Sequence, residues 1–274
     1  MSNVTRIFSD VHYGDRASRV RSLSQLGPLL EGASRIVING DCMDTRPGPY
    51  PQRTADLRAE VLDFFSCNHP DTQFITGNHD PDISAVHDLD LDAGRVFVTH
   101  GDVVFDDIVP WGQDVSAIRK DLVAARANAP DRDYSVLENR LELFRGMCAA
   151  LPQRHQAEHN RWKYLKSFAA DTFWPPFRFV DVLRAWHEAL RRAVALVRAH
   201  RPAARFVITG HVHRPGVWRS PHGQIVVNTG SFCPPLGSCV VDMTVDRLIV
   251  RTVKRQRGAF HPGEVQAEFA LAEK

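Results

Sequence analysis

The chain has 274 residues, 43% hydrophobic and 24% charged, with a net charge of +2, the make-up of an ordinary soluble globular protein. The near-neutral balance shows no long basic groove, which weighs against nucleic acid as its target. No window approaches the roughly 20 apolar residues needed to span a bilayer, and Met1 to Arg6 leads into a strand with no apolar signal region.

In chain order, five apolar, β-branched runs each end in a polar motif. Val4 to Phe8 ends in Ser9-Asp10-Val11-His12, and Ile36 to Ile38 ends in Asn39-Gly40-Asp41. Between them Ala17 to Leu26 reads as a short helix, apolar at 20, 23 and 26, that Gly27-Pro28 interrupts. The Pro49-Tyr50-Pro51 stretch reads as a loop and Thr54 to Phe65 as the next helix. Phe74 to Thr76 then ends in Gly77-Asn78-His79-Asp80, and Val96 to Val98 in Thr99-His100-Gly101-Asp102. Residues 103–204 form a long helical insertion. Its last helix carries Phe179, Leu183, Trp186, Leu190, Val194 and Val197 as one stripe. Charge along this part of the chain is partitioned, with 14 acidic and 6 basic residues from Asp80 to Phe144 and 12 basic and 4 acidic from Arg145 to Arg205.

Phe206 to Thr209 ends in Gly210-His211-Val212-His213, the fifth motif. Short strands follow at Val217 to Trp218, Ile225 to Val227, Cys239 to Val241 and Leu248 to Val253. A second, mixed sheet built largely from the C-terminal half fits this pattern. The expectation is a single α/β domain over 1–274, with helices covering a buried sheet whose carboxyl edge carries the motifs. Five cysteines, at 42, 67, 148, 233 and 239, form no Cys-x-x-Cys pair, so reduced thiols in a cytoplasmic protein are expected.

The motif residues suit one chemistry. A phosphate ester is anionic and resists water, so hydrolysis needs a strong nucleophile and charge neutralisation. Two divalent metals about 3.5–4 Å apart supply both. Holding them calls for a bridging carboxylate with oxygen and imidazole donors, and Asp10, His12, Asp41, Asn78, His100, His211 and His213 provide that mixture. A lone buried histidine is usually a packed core residue, but seven ligand-type residues at five strand ends do not share that explanation. The histidines outside the motifs read as packing or surface residues, with His155, His159 and His187 of the insertion as candidate exceptions.

In their order and spacing the motifs resemble those of the calcineurin-like metallophosphoesterases, over roughly residues 4–102 and 205–255. The resemblance implies two mixed sheets packed face to face and flanked by helices. Asp10, His12 and His213 would hold one metal, Asp41 would bridge, and Asn78, His100 and His211 would complete the second. A bridging hydroxide would attack phosphorus. His79 would contact the phosphoryl oxygen and protonate the leaving group, oriented by Asp80. Asp44 and Asp102 are expected beside ligand histidines, and Asn228-Thr229-Gly230-Ser231 resembles the Asn-Pro-Gly-Ser turn after the last ligand block. Manganese leads the expected metals, with Fe, Zn, Ni and Co also compatible.

The insertion would overhang the site and select a phosphorylated small molecule or a lipid nucleotide. Its basic half suits an anionic substrate or peripheral contact with a phospholipid surface, and Trp162, Tyr164, Phe168, Phe173, Trp174, Phe177 and Phe179 could line an apolar groove. This layout is similar to the UDP-2,3-diacylglucosamine pyrophosphatases of lipid A synthesis. Their main bacterial group has Arg where this chain has His79, which returns the motif to the general phosphoesterase form. A scaffold on the same fold, like the retromer subunit that lacks the catalytic histidine, is the non-enzymatic alternative. His79 with a full ligand set favours the enzyme.

Overall fold

The computed structural model describes residues 3–110, 115–153 and 177–271, with the side chains of 177–179 excepted. Strands β1 (Thr5–Phe8), β2 (Arg35–Asn39) and β3 (Thr72–Ile75) run parallel, and β9 (Cys239–Met243), β10 (Arg247–Gln256) and β11 (Ala259–Ala270) extend that sheet antiparallel from β1. The second sheet has the order β4 (Asp88–Leu91), β5 (Val96–Thr99), β6 (Phe206–Thr209), β8 (Ile225–Asn228), β7 (Gly216–Arg219). Within it β5, β6 and β8 are parallel.

Alternation along the strands explains the layering. Ile7, Val37 and Ile75 of the first sheet share one buried cluster with Val96, Val98, Phe206, Ile208 and Val227 of the second, so the sheets pack face to face. The intervening residues point outward. Phe8, Ile36, Ile38 and Phe74 meet Val61 and Phe65 of helix α2 (Pro51–Asn68) and Leu29 and Leu30 of helix α1 (Gly27–Leu30). Phe97, Val207 and Val226 meet helices α3 (Val115–Asn128), α4 (Leu137–Ala150) and α5 (Phe177–His200). Strands covered on both faces need apolar residues at every position, which is why they read as continuous runs.

Three expectations change. Leu23–Leu26 is a 3₁₀ turn, and Gly27-Pro28 opens α1 rather than ending a helix, because proline lacks only the N–H that a first turn leaves unused. The C-terminal strands divide: β6, β7 and β8 join the second sheet, whereas β9, β10 and β11 extend the first. In the α5 stripe Val194 and Val197 are buried, but Leu183 is 43% exposed. Some of the described charges in and beside the insertion pair with one another. Arg192 binds Asp106, and Arg201 binds Asp88, Asp90 and Glu138. His155, His159, Trp162, Tyr164, Phe168, Phe173 and Trp174 lie outside the described residues, as do the side chains of Phe177 and Phe179. Among the described residues, no helix is long and apolar enough to cross a membrane.

Candidate metal centre

All five motifs converge at the carboxyl ends of β1, β2, β3, β5 and β6. Asp10, His12, Asp41, His211 and His213 each adopt a positive φ, between 48° and 68°. A non-glycine residue seldom does so, and such strain collects where side chains are held for function. Left-handed residues at both i and i+2 turn Asp10, His12 and His213 toward one centre, while His211 turns to Asn78. Straight strand geometry would only place each pair on one face.

The ligand atoms of Asp10, His12 and His213 all lie within 4.8 Å of one another, as do those of Asp10, Asp41 and His100. His12 Nε2 is 3.2 Å from His213 Nε2 and 3.8 Å from Asp41 Oδ2. Asp10 Oδ1 is buried without a hydrogen-bond partner, although His213 Nε2 stands 3.1 Å away. The other half is organised by tautomers. His100 Nδ1–H donates to Asn39 O at 2.9 Å, which turns Nε2 toward Asn78 Oδ1 at 3.2 Å and Asp41 Oδ2 at 3.3 Å. His211 Nε2–H donates to Ile108 O at 2.8 Å, so Nδ1 faces Asn78 Oδ1 at 2.8 Å. Converging imidazole nitrogens, carboxylates and an amide oxygen, with the Asp10 carboxylate fully buried among them, fit a pair of divalent cations. Gly77 keeps the space open, since a Cβ there would sit 2.2 Å from Asp41 Oδ1.

Electrostatics keeps two of the candidate ligand imidazoles, His12 and His211, neutral. Burial pushes His12 down to about 4, and burial with the His100 charge pushes His211 down to about 3. Burial also works against a charged His100, but Asp41 and Asp10 outweigh it and raise this imidazole well above its ordinary value, so a cation there must displace a proton. For His211 the folded value is depressed. The unfolded chain therefore takes up a proton that the fold refuses, and stability is lost as pH falls from about 6.5 toward 3. Between pH 7 and 5 the metal-free protein should lose about 2 kcal/mol more than its His211→Asn variant in denaturant unfolding. Equal losses would contradict a buried, neutral His211.

Asp80 does not orient His79. Its carboxylate accepts from three backbone amides, Gly77 N at 2.8 Å, Asp41 N at 2.9 Å and Cys42 N at 2.7 Å, tying the second and third motif loops together. Burial and the Asp41 charge raise its pKa to about 7. Asp80→Ala would strand three buried donors and should cost at least about 3 kcal/mol in denaturant unfolding. An unchanged midpoint would overturn this role.

The group that meets His79 is Asp44, whose Oδ2 lies 3.2 Å from Nδ1. Arg46, which sequence reasoning passed over, clamps Asp44 with two bonds, Nε at 3.0 Å and Nη2 at 2.8 Å, and reaches His79 Nδ1 at 2.7 Å. Only its place two residues after Asp44 hinted at it. Burial opposes a charged His79 and so does Arg46, but Asp41 and Asp44 outweigh them and raise the imidazole above its ordinary value. Burial likewise opposes ionised Asp44, yet Arg46 and His79 hold its carboxyl far below the usual range. Asp102 is buried, but His100 and His211 use the carbonyls of Asn39 and Ile108 for their second nitrogens. In the Asn228–Ser231 turn, Ser231 Oγ donates to Asp10 O at 3.1 Å, and Thr229 Oγ1 pairs with Ser9 Oγ at 2.5 Å, bracing the first motif. His187 lines an apolar cavity of about 210 Å³ with Trp186, Leu190, Val212 and Trp218.

No protein-family model matches the chain, and no curated protein matches it. Solved structures do. A predicted phosphoesterase from Streptococcus pneumoniae is 12% identical, with 98% of each chain covered and a TM-score of 0.39. A dimetal phosphatase from Danio rerio is 13% identical, covering 96% of this chain and 99% of its own, with a TM-score of 0.43. Vacuolar Protein Sorting 29 from Cryptosporidium parvum is 10% identical, with 98% of each chain covered and a TM-score of 0.45. In its ordered motifs and its two facing sheets, the chain resembles the calcineurin-like metallophosphoesterases.

Proposed function

We propose that the protein is a dinuclear metal-dependent phosphoesterase that hydrolyses a phosphate monoester or diester of a small molecule. The observation that carries this reading is the convergence of the His100 and His211 ring nitrogens with the oxygens of Asn78 and Asp41 beside the buried Asp10 Oδ1. Asp10, His12 and His213 would hold one cation, Asn78, His100 and His211 the other, with Asp41 shared. When bound, the pair lowers the pKa of a water and neutralises the oxygens of the ester.

The chain itself supplies the proton. His79 is half-buried at the rim, its ring 5.0 Å from that of His12. Its Nδ1–H donates to Asp44 Oδ2 at 3.2 Å, so Nε2 is the atom left to face a substrate. A proton held on Nε2 can pass to the leaving oxygen as the bond to phosphorus breaks. Asp44→Asn should lower turnover about 10–100-fold with both metals retained. The expected metal is manganese, and the expected setting is cytoplasmic, with membrane contact made, if at all, through the insertion.

The test is manganese-dependent hydrolysis of p-nitrophenyl phosphate, bis-p-nitrophenyl phosphate and UDP-2,3-diacylglucosamine by metal-reconstituted protein. Turnover of the small esters supports the phosphoesterase. Fast turnover of the lipid nucleotide alone replaces it with the lipid A reading. Two bound metals with no turnover of any ester would leave a scaffold.

A further inference from the structure

The insertion reaches back to the acid end of the site. After α4 the chain passes Leu151 and Pro152 to Gln153, which is only 6% exposed. Its backbone N–H donates to Pro47 O at 2.7 Å, and its Nε2 donates to Asp44 O at 2.9 Å and Thr54 Oγ1 at 3.3 Å. The approach depends on Gly48, where a Cβ would lie 2.2 Å from Gln153 Oε1. One buried residue thus grips the connection between the second motif and α2. That connection carries Asp44 and Arg46, the two side chains at His79 Nδ1. The Thr45 N–H in the same loop donates to His79 O at 2.9 Å.

We propose that Gln153 is a positioning residue, which from the insertion fixes the backbone of Asp44 and, through that carboxylate, the ring of His79. Gln153 bonds to no metal-ligand candidate, and His79 N–H keeps its own bond to Asp41 Oδ1 at 2.8 Å. Loosening the loop would therefore disorient the acid without disturbing the ligands. A lost bond to a buried carbonyl is worth about five- to tenfold in rate when only the transition state feels it. The kinetic part of the inference rests on the phosphoesterase reading.

The test is Gln153→Met, which keeps the volume and removes both side-chain bonds, made alone and in an Asp44→Asn background. Two readouts are taken: the ring proton–nitrogen NMR signals of His79 in metal-free protein, and kcat on bis-p-nitrophenyl phosphate with manganese. The single variant should move the His79 signals and lower kcat about five- to tenfold, with KM and bound manganese unchanged. In the Asp44→Asn background neither readout should change further, since coupled residues are non-additive. Unmoved His79 signals, or equal losses in both backgrounds, would overturn the proposal. Should Gln153→Met fail to fold, Gln153→Glu puts an oxygen against Asp44 O and should give the same pattern. Absence of turnover in the wild type would count against the phosphoesterase alone, because the ring signals need neither metal nor substrate.

Discussion

Asp41→Asn should remove bound metal and turnover together. Asp41 Oδ1 accepts the His79 N–H at 2.8 Å, so the amide oxygen of an asparagine would take that place. Its NH₂ would then stand where Oδ2 is, 3.3 Å from His100 Nε2 and 3.8 Å from His12 Nε2. A donor would replace the one anionic oxygen that both halves of the site share. Burial alone would raise the Asp41 carboxyl, but the His100 and His79 imidazoles hold it well below its ordinary value, so it is an anion at any working pH. A metal-stabilised charge is worth several kcal/mol, so turnover should fall about 10³-fold or more. Metal analysis of the dialysed variant checks the cause. Full metal content with lost activity would contradict the shared-ligand assignment.

How far the molecule could be read beforehand depends on where each signal is stored. The five site strands were legible because residues such as Val96, Phe97 and Val98 are each buried, on alternate faces, leaving unbroken apolar runs. Strand β4 was not. Its Asp88-Leu89-Asp90-Leu91 looks like an acidic loop until Arg201, more than a hundred residues away, takes up both aspartates. β11 was hidden in the same way, being an edge strand with Pro262 and Gly263 inside it and register shifts opposite it.

At the site, the ligand residues were legible because they sit within short motifs. The partner of His79 was not, because adjacency pointed to Asp80 while the chain path brings in Asp44, 35 residues earlier. Asp80 faces away because three amides already occupy its carboxylate. The left-handed backbone at Asp10, His12, Asp41, His211 and His213 has no mark in composition, since none of these is glycine. It is imposed by the surroundings, as where Asp10 N–H donates to Gly40 O and Gly210 N–H to His100 O.

His79→Ala separates the proton donor from the metals. The variant deletes the ring but keeps the backbone N–H that binds Asp41 Oδ1, so the shared carboxylate stays placed and both cations should remain. Turnover should fall by about 10²–10⁴-fold, the usual worth of a positioned general acid. The size of the loss should depend on the ester. An alkyl leaving group departs as a strong base and needs the proton, whereas p-nitrophenolate is stable as an anion. The ratio of wild-type to variant kcat should therefore be larger for an alkyl phosphate than for p-nitrophenyl phosphate, and Asp44→Asn should show the same ordering with smaller losses. A loss equal for both esters would place His79 on the phosphoryl oxygens, where the charge it stabilises is common to every substrate, and would remove it from the path of the proton.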